Sequence, residues 1–362
     1  MARNRVIYQS EALFMNKDAS LLDGYKQLER VQSANYSYTI NRQDVNQYGQ
    51  LGKLDSIILD APTVSADASY YLTDGYTERV LGFWVQHNDG PSASFVSGHL
   101  ADGSGRNIII LTTPEGTDAD LPTRDSEVTV NSAIGIGNCY LSDYSVDLSV
   151  GAIPTVSVSF DALNISSDAD ADDIETPAIN VTDGEVIVGN CTIPDAITGQ
   201  GAIAALRPGD ITVNISSFDG TTLADIGTDA EGAHIQSASL SIPMSRSTLE
   251  RLGSRSAYAR SIDFPVVSTL AVSAIVNEVT TDNLADIIDD EVEKTVTLTL
   301  NDSDGNVAVL YTLSGCSFDS EAMTSSIGSN KSVDLSFSTS VGGPEDLNHG
   351  VFMSGVSTTS IL

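Results

Sequence analysis

The residues that could do chemistry in this chain are few and scattered. The sequence holds four histidines, and none has a second histidine four residues away, the spacing of a helical metal site. They are His87, His99, His234 and His349. No GxSxG, P-loop or GxGxxG motif occurs either. We therefore expect ordinary surface histidines, no catalytic or cofactor-binding residues, and no enzyme activity.

Two acidic runs carry the oxygen ligands that calcium prefers. DSDGN at 302–306 lacks the remainder of an EF-hand loop and fits a hairpin turn instead. DADADD at 168–173 lacks an ordering glycine. Calcium stays a minor alternative, and we predict no metal site.

The cysteines argue against a disulfide framework and against zinc. There are three, Cys139, Cys191 and Cys316, an odd count without CxxC spacing. Cys139 and Cys316 each follow a glycine-containing turn, GIGNC and LSGC. We expect them to be small buried core residues.

The sequence repeats itself at a period near 200 residues. Residues 31–49 align without a gap on 235–253, and six of the nineteen pairs are identical. A second block, 139–160, aligns on 316–337 with six more identities, Cys139 over Cys316 among them. The period is far longer than that of solenoids and propellers, so each copy has the size of a domain.

The two blocks set the predicted boundaries. The first domain covers 1–164, an acidic linker with connecting strands covers 165–204, the second domain covers 205–343, and a C-terminal segment covers 344–362. The linker contains SSDADADDIETP, which reads as a solvated loop.

Most of the apolar signal alternates with period two, as in half-buried strands. Val146, Leu148 and Val150 share one predicted face, and the same alternation places Val156, Val158, Phe160, Val333, Leu335 and Phe337 inside. Two alternating runs flank Asp304 and Gly305, residues that can both take positive φ, and predict a β-hairpin near 295–313.

Helix is scarce in the pattern. The best candidate is TTDNLADIID at 280–289, where a capping Thr or Asp precedes a one-sided apolar stripe. Short helical turns are also predicted within 246–253 and 42–49. The predicted class is mainly β, with two tandem duplicated domains that each hold at most one short helix.

Charge excludes some partners. Acidic residues number 49 against 17 basic ones, a formal net charge of −32, which disfavours binding to nucleic-acid phosphate. Solubility, a salty environment, or a surface that must not adhere to a polyanion would each explain this balance.

The first ten residues lack the apolar run of a signal peptide, and no run reaches transmembrane length. We expect synthesis in a cytoplasm and no membrane partner.

Three segments, 40–72, 139–166 and 188–215, resemble the major tail tube proteins of long-tailed bacteriophages. The resemblance implies tail-tube-like β-sandwich or barrel domains with one packed helix and a long hairpin or loop that reaches the neighbouring ring. It also implies stacked rings through which double-stranded DNA passes without tight binding. Because a duplicated tube domain lets three chains form a pseudo-sixfold ring, we expect a homotrimeric ring.

With that resemblance, the polar strand faces become candidates for the channel lining, since an acidic, hydroxyl-rich wall would repel DNA weakly. The channel-lining candidates are Ser65, Asp67, Ser69, Ser145, Asp147, Ser149, Asp334 and Ser336. An outward orientation or a subunit contact is the alternative for them.

The segment 73–138 is longer than its counterpart 277–315, so Phe83, Trp84 and Val85 are candidates for an inter-ring or decoration loop. A core position is the alternative for Trp84.

The expected function is a structural virion protein, a tail tube subunit assembled in the host cytoplasm with itself and with other phage tail proteins. One alternative is another virion component on the same fold, a tail terminator or a baseplate hub. The other is a calcium-dependent surface adhesin or S-layer module. No cofactor is expected for a tail protein, whereas the adhesin alternative would require calcium.

Overall fold

Strands dominate the protein. The computed structural model describes residues 7, 10–59, 61–87, 92–100, 105–120, 132–168, 174–194, 206, 211–215, 234–253, 256–275, 293–302, 304–324 and 332–356. In the first half lie β1 (Glu11–Met15), β2 (Lys26–Gln27), β3 (Val31–Thr39), β4 (Arg42–Val45), β5 (Asp55–Ile58), β6 (Thr63–Tyr71), α1 (Tyr76–Leu81), β7 (Val85–His87), α2 (Ser97–Leu100), β8 (Arg106–Thr112), β9 (Ser132–Ser149), β10 (Thr155–Ala162) and β11 (Asn164–Asp168). In the second half lie β12 (Ile211–Ile215), β13 (His234–Pro243), β14 (Arg246–Leu249), β15 (Ala259–Ile262), β16 (Val267–Ile275), β17 (Lys294–Asn301), β18 (Val307–Thr324), β19 (Ser332–Ser340) and β20 (Gly350–Gly355). The mainly β class is confirmed.

Eight antiparallel strands form a central sheet that runs through both halves of the chain. Their order is β3-β6-β10-β9-β13-β16-β19-β18. The two longest strands, β9 and β18, contribute their C-terminal parts to this sheet and their N-terminal parts to two outer sheets. The outer sheets are β2-β1-β8-β9-β11 and β12-β17-β18-β20-β7. The central sheet is thus shared by both halves of the molecule.

One face of the central sheet packs against the outer sheets and forms the core. The period-two prediction is confirmed for every residue it placed inside except one, since Val146, Leu148, Val156, Val158, Phe160, Val333, Leu335 and Phe337 are buried. Val150 is 66% exposed because β9 ends at Ser149. The prediction that Val150 shares the inward face of Val146 and Leu148 is therefore wrong. Buried residues of both halves belong to one continuous cluster, in which Tyr144 and Tyr311 meet. A single apolar core therefore joins the halves.

The pairing pattern of the first half recurs in the second. In each half the strands follow the same order, β3-β6-β10-β9 and then β13-β16-β19-β18. Register shifts between β3 and β6 and between β13 and β16 bulge out Gln32 and Gln236, which the sequence repeat aligns. Shifts between β9 and β10 and between β18 and β19 likewise bulge out the aligned pair Ser142 and Asp319. This recurrence supports the predicted duplication, which stays a prediction together with its boundaries.

The segments outside the two predicted domains pack against them. In the predicted linker, the Ile179 N–H donates to Asn138 Oδ1 at 2.7 Å, and the Cys191 thiol lies 3.1 Å from the Tyr25 hydroxyl. In the C-terminal segment, β20 pairs antiparallel with β18 and parallel with β7. The C-terminal segment thereby connects the two halves through backbone hydrogen bonds.

The helix predictions were wrong where they can be checked. Both predicted helical turns are hairpins: β4 pairs with β5, and β14 pairs with β15. The aligned glycines Gly49 and Gly253 take φ of 88° and 89° there, values that favour turns over helix. The candidate at 280–289 lies outside the described residues. In the part of the chain that the structure describes, the helices are α1 and α2, which are six and four residues long and too short for a periodic stripe.

Candidate functional site

The face of the central sheet that turns away from the core is predominantly polar, and we call it the polar face. Its residues alternate with the buried ones along each strand, as the pleat of a sheet requires. All eight channel-lining candidates lie on it, each exposed or half-exposed: Ser65, Asp67, Ser69, Ser145, Asp147, Ser149, Asp334 and Ser336. The fold thus brings residues from β6, β9 and β19 onto one surface.

A row of hydroxyl groups crosses the polar face from one edge to the other. Each of the eight strands contributes one serine or threonine, and consecutive members are direct register partners. In strand order they are Ser33, Ser69, Ser157, Ser145, Ser241, Thr269, Ser338 and Ser317. No local pattern in the sequence marks this row, because its members become adjacent only after the strands pair.

Hydrogen bonds between neighbouring strands occupy many of these side chains. The Ser33 and Ser69 hydroxyls lie 2.6 Å apart, and the Asn35 amide donates to Asp67 Oδ2 at 2.8 Å. The Ser239 hydroxyl donates to Asp147 Oδ1 at 2.7 Å across the junction of β9 and β13. Such cross-strand pairs stabilise the sheet. They also leave fewer free donors to bind a passing molecule.

The polar face carries negative charge and no strand of it carries a cation. The eight strand segments that build it contain no lysine and no arginine. Six aspartates lie on it, namely Asp67, Asp143, Asp147, Asp161, Asp319 and Asp334. Partial burial raises the pKa of Asp143. Arg260 approaches from the β14–β15 hairpin, with its Nη1 3.9 Å from Asp161 Oδ2. A surface of this composition disfavours binding to phosphate groups.

The central sheet ends in two open edges. Within the described part of the chain, β3 pairs on one side only, with β6, and residues 317–324 of β18 pair on one side only, with β19. Unpaired N–H and C=O groups along a strand are a template for another strand. In the sequence repeat, β3 corresponds to β13, and 317–324 corresponds to 140–147 of β9. The two open edges, β3 and residues 317–324, therefore correspond in the repeat to β13 and β9, the two strands that pair with each other in the middle of the central sheet.

Two hairpins project apolar side chains into solvent. In the loop between β4 and β5, Tyr48 and Leu51 are fully exposed, and Leu54 is half-exposed. At the corresponding place between β14 and β15, Leu252 is fully exposed. Several exposed apolar side chains grouped on one projecting element indicate a contact surface.

The inter-ring candidates fall into two groups. Phe83 is buried and stacks on Phe95 with 4.0 Å between ring centroids, and Val85 is buried in the same core cluster. Predicting them as contact residues was wrong, because neither side chain can reach another molecule. Trp84 is 40% exposed, and its indole Nε1 lies 3.3 Å from the Ser92 hydroxyl. The core alternative for Trp84 is therefore wrong, and its contact role stays a prediction.

A carboxylic acid lies in the core beside three tyrosines. Glu78 on α1 is fully buried, and the Tyr70 hydroxyl donates to its Oε1 at 2.8 Å. The Tyr144 hydroxyl lies 3.5 Å from the same oxygen and 2.8 Å from the Tyr311 hydroxyl. Burial raises the pKa of Glu78 to about 7, although the Tyr70 hydrogen bond opposes the shift. The sequence offered no signal for this group because its partners come from β6, β9 and β18.

The predicted turn at 302–306 forms, and it closes the hairpin of β17 and β18. The Asp302 carboxylate accepts the N–H groups of Asp304 and Asn306, both at 2.9 Å, and this lowers the pKa of Asp302. Of the described turn residues, Gly305 takes a positive φ, 84°, while Asp304 does not, and the predicted hairpin is confirmed. Among the described residues, no group of three His, Cys, Asp or Glu side chains could hold a metal ion.

The cysteines are buried as expected, whereas one of the histidines expected on the surface is buried. Cys139 and Cys316 are buried, as predicted, and burial raises the pKa of Cys316 to about 12. His87 is exposed, while the half-exposed His349 lies 3.3 Å from both Asp346 and Glu293. His99 is only 2% exposed, so the surface prediction was wrong for it. Burial, together with the charges of Arg106 and Arg246, holds its pKa well below the usual value.

Comparisons with known proteins add little to this geometry. No family model matches the chain, and no curated protein matches it. A chain from the cryo-EM structure of the anti-feeding prophage (AFP) baseplate, 6-fold symmetrised, is similar over 41% of this chain and 92% of its own length. The identity is 14% and the TM-score is 0.27, a level that carries no argument about fold or function.

In the described residues no helix has the length and apolar content to cross a membrane.

Proposed function

We propose that this chain is a structural virion protein without enzyme activity, a phage tail tube subunit whose polar face lines a channel for DNA. The observation that carries the proposal is the eight-stranded sheet, with one anionic face free of lysine and arginine and an open edge at each end. Such a sheet is suited to closing with copies of itself around a bore. Assembly in the host cytoplasm, with itself and with other tail proteins, belongs to the same proposal.

Three chains would close a barrel of a suitable size. Eight strands from each chain give a ring of twenty-four. At about 4.8 Å between strands, the circumference is about 115 Å and the backbone diameter about 37 Å, even without strand tilt, which widens a barrel. Side chains about 5 Å long on each wall leave a bore of about 27 Å. That width admits one DNA duplex.

The chain contains its own template for the contact between subunits. Inside the chain, Ser241 of β13 faces Ser145 of β9. Through the sequence repeat, the same junction between two chains places Ser37 of β3 opposite Ala322 of β18. Each pair of chains would then be joined by a continuous backbone ladder, and the polar face would continue around the ring without a seam.

Disulfide cross-linking tests this register. Directly opposed residues have the short separation that a disulfide needs, so Ser37→Cys combined with Ala322→Cys should cross-link neighbouring chains in assembled rings. The native Cys139, Cys191 and Cys316 are buried and should not interfere. The matched control is Ser37→Cys with Ser320→Cys, which shifts the register by two residues. Equal cross-linking in both variants would contradict the junction.

The two projecting hairpins would join one ring to the next. Their exposed side chains, Tyr48 and Leu51 on one and Leu252 on the other, are apolar, and burial between rings would remove that area from water. Because both hairpins occur in every chain, three chains would present six contacts to the neighbouring ring. This arrangement agrees with the pseudo-sixfold symmetry expected of duplicated domains.

Charge would let DNA slide. A ring of three chains, each with a formal charge of −32, faces a duplex with about one charge per 1.7 Å of axis. A wall with lysine or arginine would exchange counterions with the phosphates and hold the duplex. The polar face offers carboxylates and hydroxyls that already bond to one another, so repulsion from all sides would keep the duplex near the axis.

Electron microscopy of the purified protein, and of particles that contain it, tests the proposal. The expected result is a hollow polymer with threefold rings and many copies per particle. A protein that stays a monodisperse monomer, alone and with partner tail proteins, would refute it. A low copy number at one end of the tail would instead identify a terminator or a hub.

A further inference from the structure

The inward face of β3 is covered at Ala34 and exposed further along the strand. Ala34 packs against the core cluster. Tyr36 and Tyr38 lie on the same face, yet they are 41% and 56% exposed. Their register partners on β6, Ala66 and Val64, are buried. The exposure of the two rings therefore belongs to the open side of β3, where no strand pairs with it in the described part of the chain.

The sequence repeat supplies a buried equivalent of this face. Tyr36 and Tyr38 align with Leu240 and Ile242 of β13, which are at most 1% exposed. The difference lies in the neighbouring strands, because β13 pairs with β16 on one side and with β9 on the other. Pairing with β9 thus covers on β13 the positions that β3 leaves exposed.

The residue types at the two places differ as those of a permanent and a reversible contact should. A tyrosine ring buries a large apolar area, while its hydroxyl group keeps contact with water, so the side chain tolerates exposure before a partner binds. Leucine and isoleucine have no polar atom, and on β13 they are covered as soon as the chain folds. Tyrosine is also enriched in protein interfaces. The exposed face of β3 is therefore suited to burial by a second molecule.

Two hydrogen bonds hold the end of β13 and the start of β14 to β9. The Met244 N–H donates to the Ser142 carbonyl at 2.9 Å, and Arg246 donates from Nε to the Leu141 carbonyl at 3.1 Å. The Arg246 guanidinium also lies over the Tyr140 ring, 5.3 Å from its centre. A backbone donor and an arginine thus extend the contact beyond the paired strands.

The same donors and acceptors occur at the open edges of the central sheet. In the repeat, Ile40 and Arg42 correspond to the two donors, and Asp319 and Phe318 correspond to the two acceptors. Ile40 is 40% exposed, Arg42 and Asp319 are exposed, and the charges of these last two are opposite in sign. Ser317 takes the place of the tyrosine ring, so the hydrogen bond is expected without the stacking.

We propose that Tyr36, Tyr38, Ile40 and Arg42, here called the docking corner, bind the open edge of β18 in a second copy of this chain. Arg42 donates from Nε to the Phe318 carbonyl of that copy, and the two tyrosine rings become buried as their counterparts on β13 are. A second copy is the partner because residues 317–324 are the repeat equivalent of β9. This inference rests on the junction between chains in the proposed function, and it adds the side chains that close the junction on the core side.

Sedimentation velocity of the full chain over a range of concentrations tests the docking corner. Tyr36→Ser combined with Tyr38→Ser should raise the concentration of half-association at least about tenfold, and so should Arg42→Gln, because tyrosine and arginine dominate the binding energy of many interfaces. Tyr36→Leu combined with Tyr38→Ile restores the residue types of β13 and should preserve association. The matched control is Lys17→Gln, which removes one positive charge from an exposed position after β1 and should change nothing.

The outcomes separate this inference from the tube proposal. If the unmodified chain assembles and the serine and glutamine variants assemble at the same concentration, the docking corner is not the contact, although the tube proposal would stand. Weakened association of chains that form no closed ring would support the docking corner and refute the tube. An unmodified chain that stays monomeric would overturn both. A lower Tm of the serine variant as a monomer would mean that the chain itself covers the two rings, which would also overturn the inference.

Discussion

Replacing Glu78 by glutamine should change how the stability of this protein depends on pH. Glu78 is fully buried on α1, and its pKa rises from 4.5 to about 7 through burial. Below pH 4.5 the carboxyl group is protonated in both the folded and the unfolded chain. Between pH 4.5 and 7 the folded chain keeps the proton while the unfolded chain loses it. The stability that the neutral acid provides is therefore lost as pH rises through this window.

The size of the effect follows from the pKa shift. Each pKa unit corresponds to about 1.4 kcal/mol, so a rise from 4.5 to about 7 lowers the free energy of unfolding by about 3 kcal/mol across the window. Glutamine stays neutral at every pH and its oxygen can still accept from Tyr70. Its NH₂ group replaces Oε2, which has no hydrogen-bond partner, and a buried donor left unpaired costs about 1–3 kcal/mol.

Two opposite outcomes are thus expected at the ends of the pH range. At pH 5 the Glu78→Gln variant should be less stable than the unmodified protein, because its amide carries two buried N–H donors where the protonated acid carries one O–H. At pH 8 the variant should equal or exceed it, because the unmodified protein then carries a buried charge. The difference in free energy of unfolding should change by about 2.5 kcal/mol between these two values, because part of the loss has already occurred at pH 5.

Urea unfolding followed by circular dichroism measures this difference at pH 5 and pH 8. Taking the difference between variants removes the contribution of the other 48 acidic residues, provided that they titrate alike in both proteins. Glu185→Gln is the control, since Glu185 is exposed and removal of its charge should leave a difference that is nearly constant with pH. A pH-independent difference for Glu78→Gln would refute the reasoning.

Three further predictions concern the core, the hairpins and the polar face. Phe95→Ala removes the ring stacked on Phe83 and should cost about 3–5 kcal/mol in urea unfolding; a loss below 1 kcal/mol would contradict its core role. Leu51→Ser should leave stability within about 0.5 kcal/mol but shorten polymers seen by electron microscopy; tubes of normal length would exclude the hairpin from ring stacking. Reversing Asp67 and Asp147 to lysine should slow DNA ejection with assembly intact, and unchanged ejection would remove both from the lining.

The alternating pattern of single strands was readable in advance because it is local. The pleat sends successive side chains to opposite faces, so Val156 and Val158 could be placed inside and Asp147 outside without knowing any neighbour. The same rule failed at Val150, which lies one residue beyond the end of β9. The position of a strand end depends on which strand pairs with it.

Short elements and buried polar groups could not be predicted from the sequence. The segments 42–49 and 246–253 contain helix-forming residues. They nevertheless adopt strand and turn conformation, because β4 pairs with β5 and β14 pairs with β15. From the sequence, His99 and Glu78 would be placed on the surface, because titratable side chains are usually exposed. Both are buried in the structure. Each is buried by residues from distant strands, so no local pattern marks it.

The strand class, the acidic balance, the internal repeat and the inward faces of β9, β10 and β19 follow from the amino-acid sequence alone. These depend on backbone periodicity and composition, which neighbouring residues set. The folded structure was needed to show that β6, β9 and β19 present their polar residues on one surface, and that β9 of the first half pairs with β13 of the second. The physical reason is that strand pairing satisfies backbone hydrogen bonds whatever the distance along the chain, so the choice of partner is made by the packing of the whole core.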